Sequence, residues 1–310
     1  MNLEWRLRLA LWLLRRSGGG RHINELTPEE ARTALRRLTV DRSTALHGKP
    51  RPMANVRDVE APAPGGPMHI RIYWPMQPSS AGLVYFHGGG FVTGGIDEAD
   101  AHCRRIAAES GRIVCSVAYR LAPEHPFPAA VEDAGVALDW VAEQADSLGI
   151  DRNAIAVAGD SAGATLAAVV TRLARDAGGP AIERQLLVYG GFDESRVYPS
   201  ALEMAGAPIL NAADVAWCVG QYLPAEQDRL DPRASPVLGD LHGLPPALVI
   251  VAEYDPLRDE GEAYADALRA AGNEVELRRF ARQPHGFLLM GRLSSQSGRA
   301  YSMIGRFLGR

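Results

Sequence analysis

The segment Gly159-Asp-Ser-Ala-Gly163 has the clearest chemical meaning in this chain. It follows a short apolar run, residues 154–158, and precedes small and apolar residues that are typical of a helix. A serine in a tight strand-to-helix turn presents its hydroxyl above the sheet, and flanking glycines let the backbone pass close to its neighbours. The backbone N–H after the serine lies at a helix N-terminus, which stabilises a negative oxygen. The pattern predicts that Ser161 is a nucleophile for acyl transfer; the alternative is an ordinary turn that contains Gly and Ser.

A nucleophilic serine requires a base that accepts its proton and an acid that orients the base. Of the eight histidines, His285 is the best candidate, because it follows the last predicted strand. Asp255 ends the strand that starts at residue 247 and is the candidate acid, with Asp259 as the second choice. The order Ser161, Asp255, His285 is that of α/β hydrolases. His87 also ends a strand but precedes the serine, and the remaining histidines are expected at structural or surface positions: His22, His47, His69, His102, His125 and His242.

The run His87-Gly-Gly-Gly90 follows another predicted strand and is the candidate for oxyanion binding. Glycines let a loop turn its N–H groups inward, because no Cβ is in the way. We expect the backbone N–H groups of Gly88, Gly89 and Ala162 to stabilise the oxyanion. A dinucleotide-binding loop would need glycine where Thr93 stands, and a phosphate-binding P-loop would need a following lysine with Ser or Thr. Both alternatives are therefore excluded.

The composition excludes several other classes of protein. The chain has 310 residues, of which 46% are hydrophobic and 23% charged, the usual balance of a globular protein with a large core. Its net charge of −4 provides no basic field for nucleic acid. The cysteines, Cys103, Cys115 and Cys218, are far apart and lack any zinc-binding spacing, so they predict neither disulfides nor a metal site. We expect them to be reduced, small apolar side chains.

Apolar runs alternate with helical patterns from about residue 55 onward. The predicted strands include residues 68–74, 82–86, 113–118, 154–158, 185–189, 247–252 and 275–280. This alternation predicts the α/β class, with a mostly parallel sheet, helices on both faces and the site at the carboxyl ends of the strands. Residues 194–238 break the alternation with several prolines and one isolated helical piece, residues 211–222. We interpret them as a cap insertion in a catalytic domain of residues 55–310.

Residues 1–54 are predicted to form an N-terminal helical cap. The first helix combines Trp5 and Trp12 with several arginines, and its uncharged apolar run is too short for a signal peptide core or a membrane span. The glycines at positions 18–20 are expected to end it. Thr27, Pro28 and Glu30 predict the start of a second helix. We expect the apolar face of the first helix to close over the site; binding to a membrane surface is the alternative.

Five motifs lie in one order along residues 55–308. They are His87-Gly-Gly-Gly-Phe91, Tyr119-Arg-Leu-Ala-Pro-Glu-His-Pro-Phe-Pro-Ala-Ala130, Gly159-Asp-Ser-Ala-Gly163, Asp255-Pro-Leu-Arg-Asp-Glu260 and His285-Gly-Phe287. Together they resemble the hormone-sensitive lipase family of esterases, in the branch with Asp before the serine. The resemblance implies an α/β-hydrolase fold with a helical cap and activity on short to medium acyl esters. It also implies Ser161 as nucleophile, Asp255 as acid, His285 as base, and Gly88, Gly89 and Ala162 as oxyanion donors, with residues 119–130 in a structural role.

Two departures from the family pattern concern the surroundings of the serine. Ala164 stands where a glycine is common, and Gly190-Gly191 stands where a proline is usual after the strand 185–189. The second departure affects the connection to the cap and the acyl pocket. We expect the apolar wall of that pocket to include Phe91, Leu257, Phe287, Leu288 and part of the 194–238 insertion.

The sequence therefore predicts a serine carboxylesterase that acts through an acyl-enzyme and needs neither a cofactor nor a metal. Its expected partner is a small-molecule ester, without nucleic acid or stable membrane insertion, in the cytoplasm. A non-catalytic receptor for small molecules on the same fold is the alternative of a different class. An amidase or a thioesterase stays open as well, because a triad does not encode the leaving group. The oligomeric state, the natural ester and its stereochemistry stay open.

Overall fold

Eight strands form one sheet in the computed structural model, which describes residues 1–16 and 21–309. The strands are β1 (Met53–Ala61), β2 (Met68–Pro75), β3 (Gly82–Phe86), β4 (Ile113–Val117), β5 (Ile155–Asp160), β6 (Ile182–Val188), β7 (Ala247–Tyr254) and β8 (Val275–Pro284). Their spatial order is β1-β2-β4-β3-β5-β6-β7-β8. Only β2 runs antiparallel to its neighbours, β1 and β4. The prediction of a mostly parallel sheet is confirmed.

Helices connect the strands and also precede the sheet. They are α1 (Trp5–Arg16), α2 (Pro28–Arg36), α3 (Ser43–Leu46), α4 (Ile96–Ser110), α5 (Ala129–Glu143), α6 (Ala145–Leu148), α7 (Ala162–Ala177), α8 (Pro199–Glu203), α9 (Ala212–Tyr222), α10 (Arg258–Ala270) and α11 (Ser297–Leu308). A π-helical turn, Arg37–Asp41, follows α2 directly. The glycines at 18–20, which were expected to end the first helix, lie outside the described residues. No described helix is long and apolar enough to cross a membrane.

The core has one layer on each face of the sheet. Along β3, Val84 and Phe86 point into one layer while Leu83 and Tyr85 point into the other, as the two-residue period of a strand requires. The first layer includes Leu166 of α7 and Leu268 of α10; the second includes helices α4 and α11. Both faces of the central strands are buried, so their sequences are mostly apolar, with Ser116 as a polar residue in β4.

Capping residues fix the starts of two helices outside the sheet. Thr27 accepts a hydrogen bond from the Glu30 N–H at 3.2 Å, and Glu30 accepts one from the Thr27 N–H at 2.9 Å, so the predicted capping box of α2 is confirmed. Asn211 and Asp214 form the same reciprocal pair at the start of α9. Both helices are therefore defined by local sequence, although they belong to segments outside the alternating pattern.

Candidate active site

Ser161 occupies the turn between β5 and α7, in a backbone conformation that L-residues rarely adopt. Its φ is 52° and its ψ is −124°. A Cβ on Gly159 would lie 2.1 Å from the carbonyl carbon of Gly163, and a Cβ on Gly163 would lie 2.0 Å from the carbonyl oxygen of Phe86. Both glycines are thus required by close backbone approach. The turn holds Ser161 at the carboxyl end of β5, as expected for a nucleophile elbow.

Three side chains form a hydrogen-bonded series at the carboxyl ends of β5, β7 and β8. The Ser161 hydroxyl donates to His285 Nε2 at 3.0 Å, and His285 Nδ1 donates to Asp255 Oδ2 at 2.7 Å. Asp255 is fully buried, and its other oxygen accepts the N–H of Leu257 at 2.9 Å. The ring of Tyr189 packs against the imidazole of His285, with a distance of 4.7 Å between the ring centroids. A buried carboxylate on Nδ1 leaves Nε2 as the nitrogen that accepts the serine proton.

The other candidate acid and histidine lie apart from this series. Asp259 accepts the N–H of Ser200 at 2.9 Å and forms an ion pair with Arg258 at 2.7 Å. His87 is buried and stacks on Tyr119 at a centroid distance of 4.3 Å. Burial lowers the pKa of His87 to about 4. Asp259 and His87 therefore stabilise the fold and do not belong to the hydrogen-bonded series of Ser161.

The oxyanion candidates differ from the prediction at one position. The N–H of Gly88 donates to Asp160 Oδ1 at 2.9 Å, so it is not available to a substrate oxygen. The N–H groups of Gly89, Gly90 and Ala162 have no acceptor within residues 1–16 and 21–309, and all three residues line the cavity that contains Ser161. Gly89 and Gly90 have φ values of +126° and +62°, which favour glycine. We therefore replace Gly88 by Gly90 in the candidate set.

Asp160 is a residue whose contribution the sequence analysis missed. Its Oδ1 accepts hydrogen bonds from the Tyr85 hydroxyl and from the Gly88 N–H. Burial raises the pKa of Asp160, and these two hydrogen bonds oppose that shift. Because Asp160 immediately precedes the serine, one end of β5 anchors both the elbow and the glycine loop. The Asp in the motif is visible in the sequence, but its partner Tyr85 is 75 residues away.

A cavity of about 310 Å³ contains Ser161 and His285 in its lining. Phe91 and Leu257 line it, in agreement with their prediction as wall residues. The ring of Phe91 stacks on that of Tyr222, which also lines the cavity, at a centroid distance of 3.7 Å. The volume is at the lower end of the range for small-molecule sites.

The structure corrects the prediction that Phe287 and Leu288 form part of this wall. Both are fully buried in the core layer that contains α4 and α11, and neither lines the cavity. Gly286, with a φ of +73°, turns the chain into a short 3-10 helix, Phe287–Leu289. Leu289 and Met290 reach the cavity instead.

Residues from both predicted cap segments also line the cavity. They are Ile23, Leu35, Leu38, Thr39 and Leu46 from the N-terminal segment, and Glu194, Ile209, Leu210, Val215, Cys218, Val219 and Tyr222 from the insertion. The first helix makes no such contribution through its described residues. Trp5, Leu9, Trp12 and Leu13 are instead 48–66% exposed, while Leu3 and Leu7 are buried. The expectation that the apolar face of α1 closes over the pocket is therefore wrong.

The first helix is held at the edge of the sheet by its N-terminal residues. The Asn2 N–H donates to the Tyr254 hydroxyl at 3.0 Å, and Arg282 donates to the Asn2 carbonyl at 2.9 Å. Glu4 accepts hydrogen bonds from Gln283 and Ser295. These contacts are made with β7, β8 and the loop after β8, the loop that also contains His285.

Ala164 and Gly190, the two departures from the family pattern, are neighbours in space. A Cβ on Gly190 would lie 2.7 Å from the Ala164 Cβ and 2.6 Å from Phe192 Cζ. A proline at position 190 would place a Cβ in that space. The methyl group of Ala164 and the ring of Phe192 thus both occupy room that the absence of a side chain at Gly190 leaves open.

Comparisons with known proteins agree with this architecture. A family model described as the alpha/beta hydrolase fold matches residues 83–289. The chain is 46% identical to Esterase LipI of Mycobacterium tuberculosis over 76% of each protein, and 37% identical to an ethyl acetate hydrolase of Pseudomonas putida over 92% of each. Its structure superposes on a hyperthermophilic esterase of Pyrobaculum calidifontis with a TM-score of 0.94, at 40% identity and covering 100% and 98% of the two chains. The chain therefore belongs to the α/β-hydrolase superfamily, in the hormone-sensitive lipase-like family of esterases.

Proposed function

We propose that this chain hydrolyses carboxylic esters through a covalent acyl-enzyme on Ser161. The observation that carries the proposal is the hydrogen-bonded series from Ser161 through His285 to the buried Asp255, with distances of 3.0 Å and 2.7 Å. The esterases and the ethyl acetate hydrolase among its relatives support the same reaction class.

In the first half-reaction, Ser161 Oγ attacks the ester carbonyl carbon while His285 Nε2 accepts the hydroxyl proton. The carbonyl π electrons move onto oxygen and form a tetrahedral oxyanion. When the intermediate collapses, His285 returns the proton to the leaving alcohol oxygen, and the acyl group stays on Ser161. Asp255 orients the imidazole and stabilises its transient positive charge without accepting the proton itself.

In the second half-reaction, a water molecule attacks the acyl carbonyl carbon and gives its proton to His285 Nε2. A second oxyanion forms and collapses, the carboxylic acid leaves, and Ser161 recovers its proton. The N–H groups of Gly89, Gly90 and Ala162 are our candidates to donate to both oxyanions. Such donors act because they are already oriented before charge develops, and the loss of one costs on the order of 100-fold or more in kcat.

Short to medium acyl esters are the proposed substrate class. A cavity of about 310 Å³ with apolar residues from both cap segments supports a small apolar group rather than a long chain. Each methylene that enters an apolar wall contributes about 0.8 kcal/mol until the space is filled, after which crowding reverses the gain.

We further propose that residues 1–54 and 194–238 act together as the cap of a catalytic domain formed by residues 55–310. Support comes from the cavity lining, to which the 23–46 part of the first segment and the 194–222 part of the second both contribute. Arg32 ties the first segment to the catalytic domain by donating to the carbonyls of Val92 and Ala122, at 2.8 Å and 2.9 Å.

The test compares Ser161→Ala with Ser147→Ala, an exposed serine on α6. The Ser161 variant should lose nearly all hydrolysis of p-nitrophenyl butyrate, by roughly a millionfold, and all labelling by a serine-directed phosphonate. The Ser147 variant should behave like the parent protein. An active Ser161→Ala enzyme would refute the proposal, and tight ester binding without turnover by the parent would favour the receptor alternative.

A further inference from the structure

Glu194 is a carboxyl group in the wall of the substrate cavity that the proposed mechanism does not use. It follows β6, at the start of the cap insertion, and its N–H is held by Ser235 Oγ at 2.8 Å. Its carboxylate has no hydrogen-bond or ion-pair partner among the described residues. The other cavity carboxylates differ, since Asp160 accepts two hydrogen bonds and Glu98 lies 3.7 Å from Arg36.

A second carboxyl group, that of Glu260, lies close to Glu194. A Cβ built on Gly191 would be 3.6 Å from Glu194 Oε1 and 3.5 Å from Glu260 Oε1, so both oxygens flank the same point of the cavity wall. Glu260 is anchored there because its Oε1 accepts the N–H groups of Phe192 and Asp193. Glu194 is thus the member of the pair with unused hydrogen-bonding capacity.

Charged and titratable groups of both signs surround Glu194 in this part of the cavity. Asp193 and Glu260 are the acidic neighbours, and Arg229 faces the group from the 3-10 helix Glu226–Leu230. Burial raises the pKa of Glu260 well above its ordinary value, so this neighbour favours its neutral form. Tyr222 and Cys218 face it from α9, and burial raises the pKa of both, so they stay neutral. Burial raises the pKa of Glu194 to about 7, opposed by Arg229 and reinforced by Asp193.

We propose that Glu194 is a specificity-determining residue that binds the ammonium group of a cationic ester inside the cavity. The inference rests on the esterase function proposed above and names a substrate class for it. Support comes from a carboxyl group that has no partner among the described residues and from Phe91, a partly exposed ring in the lining of the same cavity. One face of the Phe91 ring stacks on Tyr222. Aromatic faces and a carboxylate are the usual partners of a quaternary ammonium group.

A bound cation and the Glu194 carboxylate each replace hydration that the other has lost. A cation that enters an apolar cavity loses its hydration, which is unfavourable unless a carboxylate replaces that hydration. Glu194 is also disfavoured as an anion while it has no partner. Binding an ammonium ester therefore stabilises the ionised form of Glu194, and the preference for the cation must strengthen as pH rises through the range in which this carboxyl ionises.

The experiment measures the ratio of kcat/KM for two esters of equal shape that differ in one charge. Choline butyrate and 3,3-dimethylbutyl butyrate test the alcohol side of the ester. The p-nitrophenyl esters of 4-(trimethylammonio)butyric acid and 5,5-dimethylhexanoic acid test the acyl side. The ratio cancels every effect of pH on the shared chemical steps, because the triad acts equally on both members of a pair.

For at least one pair, the ratio of cationic to neutral ester should rise about tenfold between about pH 6 and about pH 8 in the parent protein. Glu194→Gln keeps the shape but cannot ionise, so its ratio should be low and independent of pH. Glu226→Gln, an exposed carboxyl of the same insertion that does not line the cavity, is the matched control and should follow the parent.

Two outcomes would overturn the inference: ratios that are independent of pH for both pairs in the parent, or an unchanged pH-dependent ratio in Glu194→Gln. Either leaves the esterase proposal intact as long as the neutral esters are hydrolysed. If the parent protein hydrolysed none of the four esters, the proposed function itself would be refuted. Thermal unfolding of Glu194→Gln checks that the variant is folded.

Discussion

Replacing Asp160 by alanine should damage both the stability and the catalytic geometry of this protein. The substitution removes the acceptor of the Tyr85 hydroxyl and of the Gly88 N–H. Tyr85 is only 1% exposed, so its hydroxyl has little access to water as a replacement acceptor. Each donor left without a partner costs about 1–3 kcal/mol, so we expect the free energy of unfolding to fall by about 2–6 kcal/mol.

The catalytic effect follows from the loss of the Gly88 anchor. Without it, the glycine loop no longer holds the N–H groups of Gly89 and Gly90 in place, and kcat should fall by about 100-fold or more. KM should change much less, because donors to a developing oxyanion act mainly in the transition state. Denaturant unfolding and the kcat–KM split on p-nitrophenyl butyrate measure the two effects separately.

Asp160→Asn is the matched control for this prediction. Both donors bond to the same oxygen, Oδ1, and an amide oxygen accepts from both as well. The Asn variant should therefore keep most of the stability and most of kcat. The reasoning would be refuted if Asp160→Ala were as stable and as active as the parent, or if the Asn variant were equally damaged in both respects.

Three further predictions concern the base, the acyl chain and the cap. His285→Ala should lose nearly all activity at every pH, because the variant has no group that accepts the Ser161 proton; retained activity in this variant would contradict this. Across p-nitrophenyl esters of increasing length, kcat/KM should rise over the first carbons and then fall, whereas optimal rates on emulsified long-chain triglyceride would indicate a true lipase. Leu35→Ala should move the optimum to longer chains because Leu35 lines the cavity, while Leu9→Ala on the exposed face of α1 should leave the profile unchanged; a shift in the Leu9 variant would restore the lid interpretation of α1.

Local sequence patterns predicted those features that depend on neighbouring residues. The capping box of α2 involves residues 27 and 30, and the elbow involves glycines two residues from Ser161. The apolar runs of the central strands identified the sheet because both of its faces are covered. These interactions join residues that are close in sequence, so a local sequence pattern is enough to predict them.

The features that the sequence analysis missed depend on contacts between distant segments. The Gly88 N–H is used by Asp160, 72 residues further along, and no local pattern indicates this. Phe287 and Leu288 are apolar, as a pocket wall requires, but the turn at Gly286 directs them into the core. Likewise, α1 has the amphipathic sequence that a lid helix requires. The hydrogen bonds of Asn2 and Glu4 nevertheless hold this helix away from the cavity.

The pair formed by Ala164 and Gly190 allows a direct test of such a distant contact. Gly190→Ala places a Cβ 2.7 Å from the Ala164 Cβ and should cost about 1–3 kcal/mol through overpacking. Ala164→Gly removes one of the two clashing groups, while Phe192 remains 2.6 Å from the new Cβ. The double variant should therefore be more stable than the sum of the single effects predicts, with a coupling of about 1 kcal/mol in denaturant unfolding. Additive effects would mean that Phe192 alone excludes a side chain at position 190, and that the two departures from the family pattern are independent.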